Sequence, residues 1–335
     1  MRILVAGGAG YIGSNMAACL AAEGHQPIIY DNLSKGHTAA IKNCEFVKGD
    51  LADFNLLTTT LKKHKIEAVM HFAAFIEAGE SVTNPLKYYQ NNVSNTQTLL
   101  GAMETTGVGK FVFSSSAAVY GMPDKQPITE ETPKNPINPY GETKLAVERM
   151  CHHQTIAGKL RYVALRYFNA CGAGNNCTLG EDHHPESHLI PLTIFAAMGK
   201  LDAIKIFGTD YPTDDGTCVR DYIHIEDLCL AHLLALKKLD TQAESIYNLG
   251  LGKGYSVRQV IDTVKTVSAR PEQGRRGKNF KVIETPRRPG DPPALVCDST
   301  KARTELGWQP KWTNLEKIVA SAWSWHSKCP NGYVE

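Results

Sequence analysis

With 335 residues, 42% of them hydrophobic and 21% charged, the chain has ordinary globular composition and enough length for one large core or two coupled lobes. A formal charge of +2 gives no reason to expect a nucleic-acid or membrane surface, and no apolar run approaches the ~18 residues of a membrane helix. The nine cysteines are odd in number and form no C-x-x-C pair, which fits reduced thiols in the cytoplasm better than a disulfide framework.

Arg2-Ile3-Leu4-Val5 opens directly into an apolar strand, so no signal peptide is expected ahead of the fold. Strands are predicted at about 2–6, 27–31, 45–48, 68–72, 110–115 and 161–166, with helices between them. This alternation points to an α/β fold of Rossmann type, a doubly wound parallel sheet covered on both faces. Asp53 is placed to cap the helix carrying Leu56, Leu57 and Leu61; a second helix is expected from Pro85 to Thr106, and a third from Pro139-Tyr140 to about Thr155. Beyond residue 166 the alternation weakens. Residues 170–189 read as a long polar loop, 190–199 as a helix, and 203–207 and 219–223 as short strands. Helices are expected at 226–239, at 257–267 with Ser256 as cap, and at 299–306, while 270–281, with Arg275, Arg276 and Lys278, reads as a solvated loop. The expected organisation is a nucleotide-binding domain over 1–168, to which the chain can return later, and a smaller mixed α/β substrate lobe made mainly from 169–335.

Gly7-Gly8-Ala9-Gly10-Tyr11-Ile12-Gly13 follows the first strand and opens a helix. Glycine at 7, 10 and 13 permits a tight turn, close approach of a pyrophosphate, and packing of helix on strand. The helix N-terminus then offers free N–H groups to the phosphates. The second strand ends in Asp31, eighteen residues beyond Gly13, where a carboxylate accepts both ribose hydroxyls of NAD and repels a 2′-phosphate. A glycine turn alone is a weak signal. Strand, turn, helix and acidic strand end in this order make NAD the expected cofactor.

Tyr140 and Lys144 stand four apart on one helix and share a face. A phenol titrates near 10, roughly, too high for a base at neutral pH; an ammonium one turn away and a cationic nicotinamide would both favour the phenolate. Phe111-Val112-Phe113-Ser114-Ser115-Ser116 is an apolar strand with hydroxyls at its carboxyl end, where open parallel sheets place ligands. Ser116 can share a substrate oxygen with Tyr140, and the set Ser116, Tyr140 and Lys144 reads as a redox site. His71 reads as a hydrogen-bonded core histidine, with nothing near it in sequence to complete a catalytic pair.

The G-x-x-G-x-x-G spacing with the later Y-x-x-x-K resembles the extended short-chain dehydrogenase/reductase family. Within it, Ser114-Ser115-Ser116-Ala117-Ala118-Val119-Tyr120-Gly121 resembles the UDP-glucose 4-epimerases, and the likeness spans nearly the whole chain through Arg166-Tyr167-Phe168-Asn169, Asp210-Tyr211-Pro212-Thr213, Val219 to His224, Tyr247-Asn248-Leu249-Gly250 and Arg287-Arg288-Pro289-Gly290-Asp291. Related dehydratases carry Asp and Glu where this chain has Ala117 and Ala118. Methyl groups cannot shuttle protons, so epimerisation is favoured over loss of water. The resemblance implies that Gly7, Gly10, Tyr11, Ile12, Gly13, Asp31, Asn32, Asp50, Leu51, Phe72, Ala73, Ala74, Asn91, Ser114, Tyr140, Lys144 and Tyr167 hold NAD. It implies further that Ser116, Tyr140, Asn169, His188, Leu189, Lys205, Phe207, Arg220, Arg288, Asp291 and Leu295 hold a UDP-hexose, the arginines on the phosphates and Asp291 on the ribose. Reversible inversion at C4 of UDP-glucose and UDP-galactose is the implied reaction. A UDP-N-acetylhexosamine or UDP-pentose epimerase, a dehydratase or reductase, and a non-catalytic NAD sensor are the alternatives.

Several residues depart from that pattern or compete for attention. Ile76-Glu77 stands where many epimerases carry a lysine, and Ala118 replaces a hydroxyl found in some. Leu295 falls where the family limits the space behind the sugar's 2-substituent, intermediate between the tyrosine of restricted members and the cysteine or serine of permissive ones. Cys177, Glu181, Asp182, His183, His184 and His188 are metal-like in composition, but their spacing matches no standard zinc pattern, and no metal is expected. Trp308, Trp312, Trp323 and Trp325 are expected to pack the final helices rather than to bind sugar. By resemblance, the helices at 85–106 and 139–155 form a homodimer surface.

Overall fold

The computed structural model describes residues 1–270, 276–288 and 290–334; Arg275 of the expected 270–281 loop and Pro289 of the Arg287–Asp291 segment lie outside them. The first 168 residues carry strands β1 (Arg2–Ala6), β2 (Gln26–Asp31), β3 (Glu45–Lys48), β4 (Ala68–His71), β5 (Lys110–Ser116) and β6 (Arg161–Tyr167). Between them lie helices α1 (Tyr11–Ala22), α2 (Phe54–Lys63), α3 (Ala78–Thr83), α4 (Pro85–Tyr88), α5 (Asn95–Thr106) and α6 (Pro139–Ile156). The six strands are the predicted ones, shifted by a residue or two at their ends, and α1, α2 and α6 lie where helices were expected; α3 is an addition. Asp53 caps α2 as expected, its carboxylate accepting the Leu56 N–H at 2.8 Å. The predicted 85–106 helix is interrupted: a π-helical turn at Tyr89–Ser94 separates α4 from α5. That turn re-aims its asparagines, and Asn92 both accepts from Phe75 N–H at 2.9 Å and donates to Phe75 C=O at 3.0 Å.

The remainder holds β7 (Asn169–Cys171), α7 (Leu189–Ala197), β8 (Ala203–Phe207), β9 (Val219–His224), α8 (Ile225–Lys238), β10 (Glu244–Leu249), β11 (Gly254–Ser256), α9 (Val257–Ser268), β12 (Lys281–Thr285), β13 (Ala294–Leu295), α10 (Thr300–Glu305) and α11 (Leu315–Lys328). Ser256 caps α9 in a reciprocal capping box with Gln259. A seven-stranded parallel sheet runs β10-β6-β5-β4-β1-β2-β3, with its order reversing between β1 and β4. The seventh strand, β10, comes from late in the chain: after β9 the polypeptide returns through α8, which packs on α1, and lays Glu244–Leu249 beside β6 in register. Met16, Leu20, Leu228, Leu236 and Trp308 fill one face of the sheet; Leu57, Leu61, Leu99, Met103 and Val147 fill the other.

Two small sheets, β11-β9-β13 with β7 on β9, and β12-β8, build the second lobe over a core of Ile194, Val260, Val264, Ile318 and Trp323. Trp308, Trp323 and Trp325 are fully buried, and Trp312, half-buried, stacks on His224 at 3.9 Å, so all four tryptophans are engaged in packing. The 170–189 segment is not the solvated loop expected. It starts as β7, and Ala173, Leu179, Glu181 and Asp182 are buried, because Gly180 lies flat on the Trp325 ring; a Cβ there would come within 2.2 Å of it. All nine cysteines are free thiols. Among the described residues no helix is long and apolar enough to cross a membrane.

Candidate active site

A groove runs along the carboxyl ends of the parallel strands, across the point where strand order reverses. Gly7, with φ +78°, and Gly13 are required by the protein's own packing: a Cβ at Gly7 would lie 2.5 Å from Ala73 N, and one at Gly13 would lie 2.1 Å from Gly7 O. Gly10 differs, since a Cβ there would meet only Gly7 O, at an ordinary 3.5 Å. Immediately beyond it α1 begins, with no side chain capping its first N–H groups. The chain thus makes no use of the space above Gly10 or of those donors, and both face the groove, as a pyrophosphate requires. Gly10→Ala is accordingly expected to keep unfolding free energy within about 1 kcal/mol of the parent, while NAD affinity falls at least ~10-fold; urea unfolding and calorimetric titration with NAD check the two halves separately.

At the end of β2, Asp31 accepts the Ala9 N–H at 2.9 Å and the Leu33 N–H at 2.8 Å. Burial pushes its carboxyl up, and the two amides with His37 oppose the shift. The carboxylate is thereby fixed against the glycine loop where a ribose would lie. Asn32 donates to Asp50 at 2.7 Å, joining the ends of β2 and β3. Asn32, Asp50, Leu51, Phe72, Ala73, Ala74, Asn91 and Tyr167 border the groove together with Tyr11 and Ile12. Sequence reasoning missed Lys35, Glu77, Asn95, Glu181 and His183, which border it too. Lys35 sits in the polar turn just past Asp31, with its ammonium 3.4 Å from Glu77, so the wall at Ile76-Glu77 carries a positive charge even without a lysine of its own. Position next to the acidic strand end was the only signal for Lys35.

The chemical end of the groove joins β5 to α6. Asn138 caps α6 by accepting the Gly141 N–H at 2.9 Å, and Pro139 occupies the first turn, which brings Tyr140 to the groove wall. Ser116, the last residue of β5, accepts the Ala118 N–H at 3.1 Å and hydrogen-bonds the Tyr140 phenol. Burial pushes the phenol up, the Ser116 bond pulls it down, and Glu77 adds to the rise. Lys144 does not act on the phenol as anticipated. Its ammonium donates to Ser114 C=O at 2.8 Å and lies 5.8 Å from the centre of the Tyr140 ring; burial pushes it down to about 7, against the pull of Glu148. Lys144 and Ser114 therefore stand behind the groove wall rather than on it, Ser114 hydrogen-bonded to the Tyr167 hydroxyl. His71 is a core histidine as expected: buried, paired with Thr96 at 2.8 Å and held down to about 3 by burial and then by Lys144.

Of the expected sugar-nucleotide residues, Ser116, Tyr140, Asn169 and His188 border the groove. The others lie past its rim in the second lobe. Arg220 on β9 pairs with Asp291 at 2.8 Å and donates to Pro292 C=O at 2.9 Å. Leu295 on β13 lies beside Arg220 in register and, like Phe168, packs against the cluster of Ala117, Val119, Tyr120, Ile128 and Leu145. The Arg288 guanidinium covers the Phe207 ring at 3.8 Å, and Leu189 opens α7. Lys205 points outward from β8.

The segment 181–188 crosses from this lobe onto the nucleotide-binding one. His37 lies 3.5 Å from the Asp182 carboxylate, Lys35 donates to His184 C=O at 2.8 Å, and Tyr11 donates to Gly172 C=O at 2.7 Å. His188 Nδ1 lies 2.7 Å from Glu181 and 3.2 Å from Glu186. Burial pulls His183 down, but the neighbouring Glu181 and Glu186 carboxylates outweigh it and push it up to about 9.

The family model described as the NAD dependent epimerase/dehydratase family matches residues 3–250. A UDP-glucose 4-epimerase of Halalkalibacterium halodurans is 50% identical over 334 residues, covering 99% of this chain and 98% of that one. The crystal structure of UDP-glucose 4-epimerase from Brucella ovis in complex with NAD superposes with a TM-score of 0.92 at 46% identity, over 97% of this chain and 98% of that one. The Bifidobacterium longum enzyme in complex with NAD+ and UDP gives 0.93 at 37% identity, over 99% and 100%. Full-length kinship of this order, on a groove with the donor set of a dinucleotide site, establishes that the chain belongs to the NAD dependent epimerase/dehydratase family, among its UDP-glucose 4-epimerases.

Proposed function

We propose that the protein is an NAD-dependent isomerase that interconverts UDP-glucose and UDP-galactose by reversible oxidation at C4. The observation that carries this reading is the Tyr140 phenol, hydrogen-bonded to Ser116 on the wall of the dinucleotide groove. Bound NAD supplies the acceptor and donor of hydride, and its cationic nicotinamide favours the phenolate. Tyr140 takes the O4 proton, and Ser116 holds that oxygen at donor distance as its charge changes. Lys144, one turn on and behind the groove wall, would turn from the Ser114 carbonyl to the cofactor's ribose once NAD is bound. Arg220 and Arg288 hold the two phosphates, Asn169 and His188 the diphosphate and sugar, and Leu189, Lys205 and Phe207 the uracil, with Asp291 turned from Arg220 to the ribose. The nucleotide half stays anchored while the 4-keto sugar turns about its diphosphate link; C4 would then take hydride back on its opposite face as Tyr140 returns the proton to O4. A loosely held hexose is required for this turn, the reverse of ordinary orientation control.

On this reading the nucleotide-binding domain comprises 1–168 together with the returning α8–β10 segment, and the remaining C-terminal residues form the UDP-sugar lobe. The homodimer surface lies on α4 to α5 and α6, where Leu86 (81% exposed), Tyr89 and Ile156 present apolar side chains to solvent. The decisive experiment incubates purified protein with UDP-galactose and no added NAD and follows anomeric NMR signals. UDP-glucose approaching equilibrium supports the proposal; a 4-keto-6-deoxy product or accumulating NADH refutes it. Leu295→Tyr is expected to lower turnover of UDP-N-acetylgalactosamine at least ~10-fold relative to UDP-galactose, because the larger ring takes up space beside the Ala117–Val119 cluster that follows Ser116; the same NMR assay on both sugars measures the ratio.

A further inference from the structure

Four residues from a single eight-residue stretch, Glu181, His183, Glu186 and His188, bring one donor atom each to a common point, all within 4.8 Å of one another. Each histidine lies within ion-pair distance of each glutamate, but the hydrogen bonding among them is incomplete. His188 Nδ1 is satisfied by Glu181 at 2.7 Å, but His183 Nδ1 and Glu186 Oε2 are buried with no hydrogen-bond partner, although they face each other at 3.7 Å. The Glu186 side chain is only 4% exposed, so water does not make up the deficit at that oxygen. A separation of 3.7 Å is too long for a hydrogen bond, yet suits two ligands of one ion. Metal–ligand bonds of about 2.0–2.1 Å in a tetrahedron place neighbouring donors about 3.3 Å apart. His188 to Glu186 at 3.2 Å and His183 to Glu181 at 3.3 Å already lie at that spacing.

We propose that these four side chains form a binding site for a divalent transition-metal ion of the zinc class. Two imidazole nitrogens and two carboxylate oxygens are a donor set that such ions favour over calcium or magnesium. Two carboxylates neutralise the dication, so ligation closes the charge balance with both imidazoles uncharged. The sequence spacing fits no standard zinc pattern because all four ligands come from one loop, rather than from paired motifs on separate elements. The ion pins residues 181–188 in the conformation that crosses the groove, where Asp182 and the His184 carbonyl reach His37 and Lys35. Its role is to hold the cofactor groove closed; the chemistry at Ser116 and Tyr140 does not pass through it.

The test uses untagged full-length protein with its bound cofactor. After chelator treatment and desalting, titration with Zn2+ is expected to give one ion per chain and a rise of several degrees in Tm. Titration with Co2+ is expected to give the visible absorption of a four-coordinate site, and retention of NAD on desalting is expected to rise with metal loading. His183→Gln and Glu186→Gln, made separately so that one misfolding variant does not decide the matter, are expected to lose at least nine-tenths of the bound metal and the Tm response. Absence of the Co2+ spectrum in the parent, or equal metal uptake by parent and both variants, overturns the site. Epimerase turnover measured alongside separates this outcome from failure of the functional reading, since metal binding is scored without it.

Discussion

Tyr140→Phe is expected to lower kcat for UDP-galactose by about 10³-fold, equivalent to about 4 kcal/mol of transition-state stabilisation, while leaving the affinity for UDP intact. The substitution removes a single oxygen from a ring that otherwise keeps its place at the start of α6. What is lost is the acceptor for the O4 proton and the partner of Ser116. Tyr140 stands on α6 of the first 168 residues, away from the arginines proposed to hold the phosphates, so nucleotide binding has no reason to change. Ser116→Ala is expected to cost less, because the phenol remains and loses only the hydrogen bond that draws its pKa down. Stopped assays by anomeric NMR, with calorimetric titration of UDP as the binding control, give both quantities. A kcat within tenfold of the parent removes Tyr140 from its role.

The position of this phenol was legible in the sequence because everything that places it is local. A cap at Asn138, a proline in the first turn and a lysine four residues on fix its helix and its face; the serine at the end of an apolar strand follows from the parallel-sheet rule. The direction of the electrostatic effect was not legible. From spacing alone Lys144 belongs beside Tyr140, whereas burial of both groups raises one and lowers the other, and the ammonium turns to the Ser114 carbonyl. Burial is a property of the assembled core, which four residues of sequence do not report. The same reason hid β10: a six-residue run pairs with β6 across more than eighty intervening positions, and no local pattern announces a parallel neighbour that far away. The π turn at Tyr89–Ser94 was hidden by continuity, since the apolar spacing of an uninterrupted helix carries straight through it. In the 181–188 segment composition was visible, but not that Glu186 completes it, because Trp325 and the C-terminal Tyr333 press the loop inward from the far end of the chain.

A second large effect lies one turn beyond Lys144. Glu148→Ala is expected to destabilise the fold by about 3–5 kcal/mol, the usual consequence of breaking a buried ion pair from one side. Glu148 and Arg166 meet in a two-pronged contact at 2.9 and 2.5 Å, with side chains only 4% and 3% exposed. Ser115 donates to the same carboxylate at 2.5 Å, and Arg166 continues to Tyr120, whose hydroxyl donates to Asn248 at 2.7 Å. This network ties α6, β5, β6 and β10 together directly behind Ser116 and Tyr140, so truncating Glu148 leaves a buried guanidinium without its counter-charge and the Ser115 hydroxyl without its acceptor. The sign is checked by pairing it with Arg166→Met and using Glu148→Leu: the double variant removes both charges and is expected to recover most of the loss, since two apolar groups of similar volume cost far less than one orphaned charge. Urea unfolding of the parent, Glu148→Ala and the double variant decides between them. Loss of Glu148 also removes the one group that holds the Lys144 ammonium up against burial, so the lysine is expected to titrate below about 7 in any Glu148 variant that folds. A Glu148→Ala protein as stable as the parent would mean that the pair contributes nothing, and that β5 and α6 are held in register by apolar packing alone.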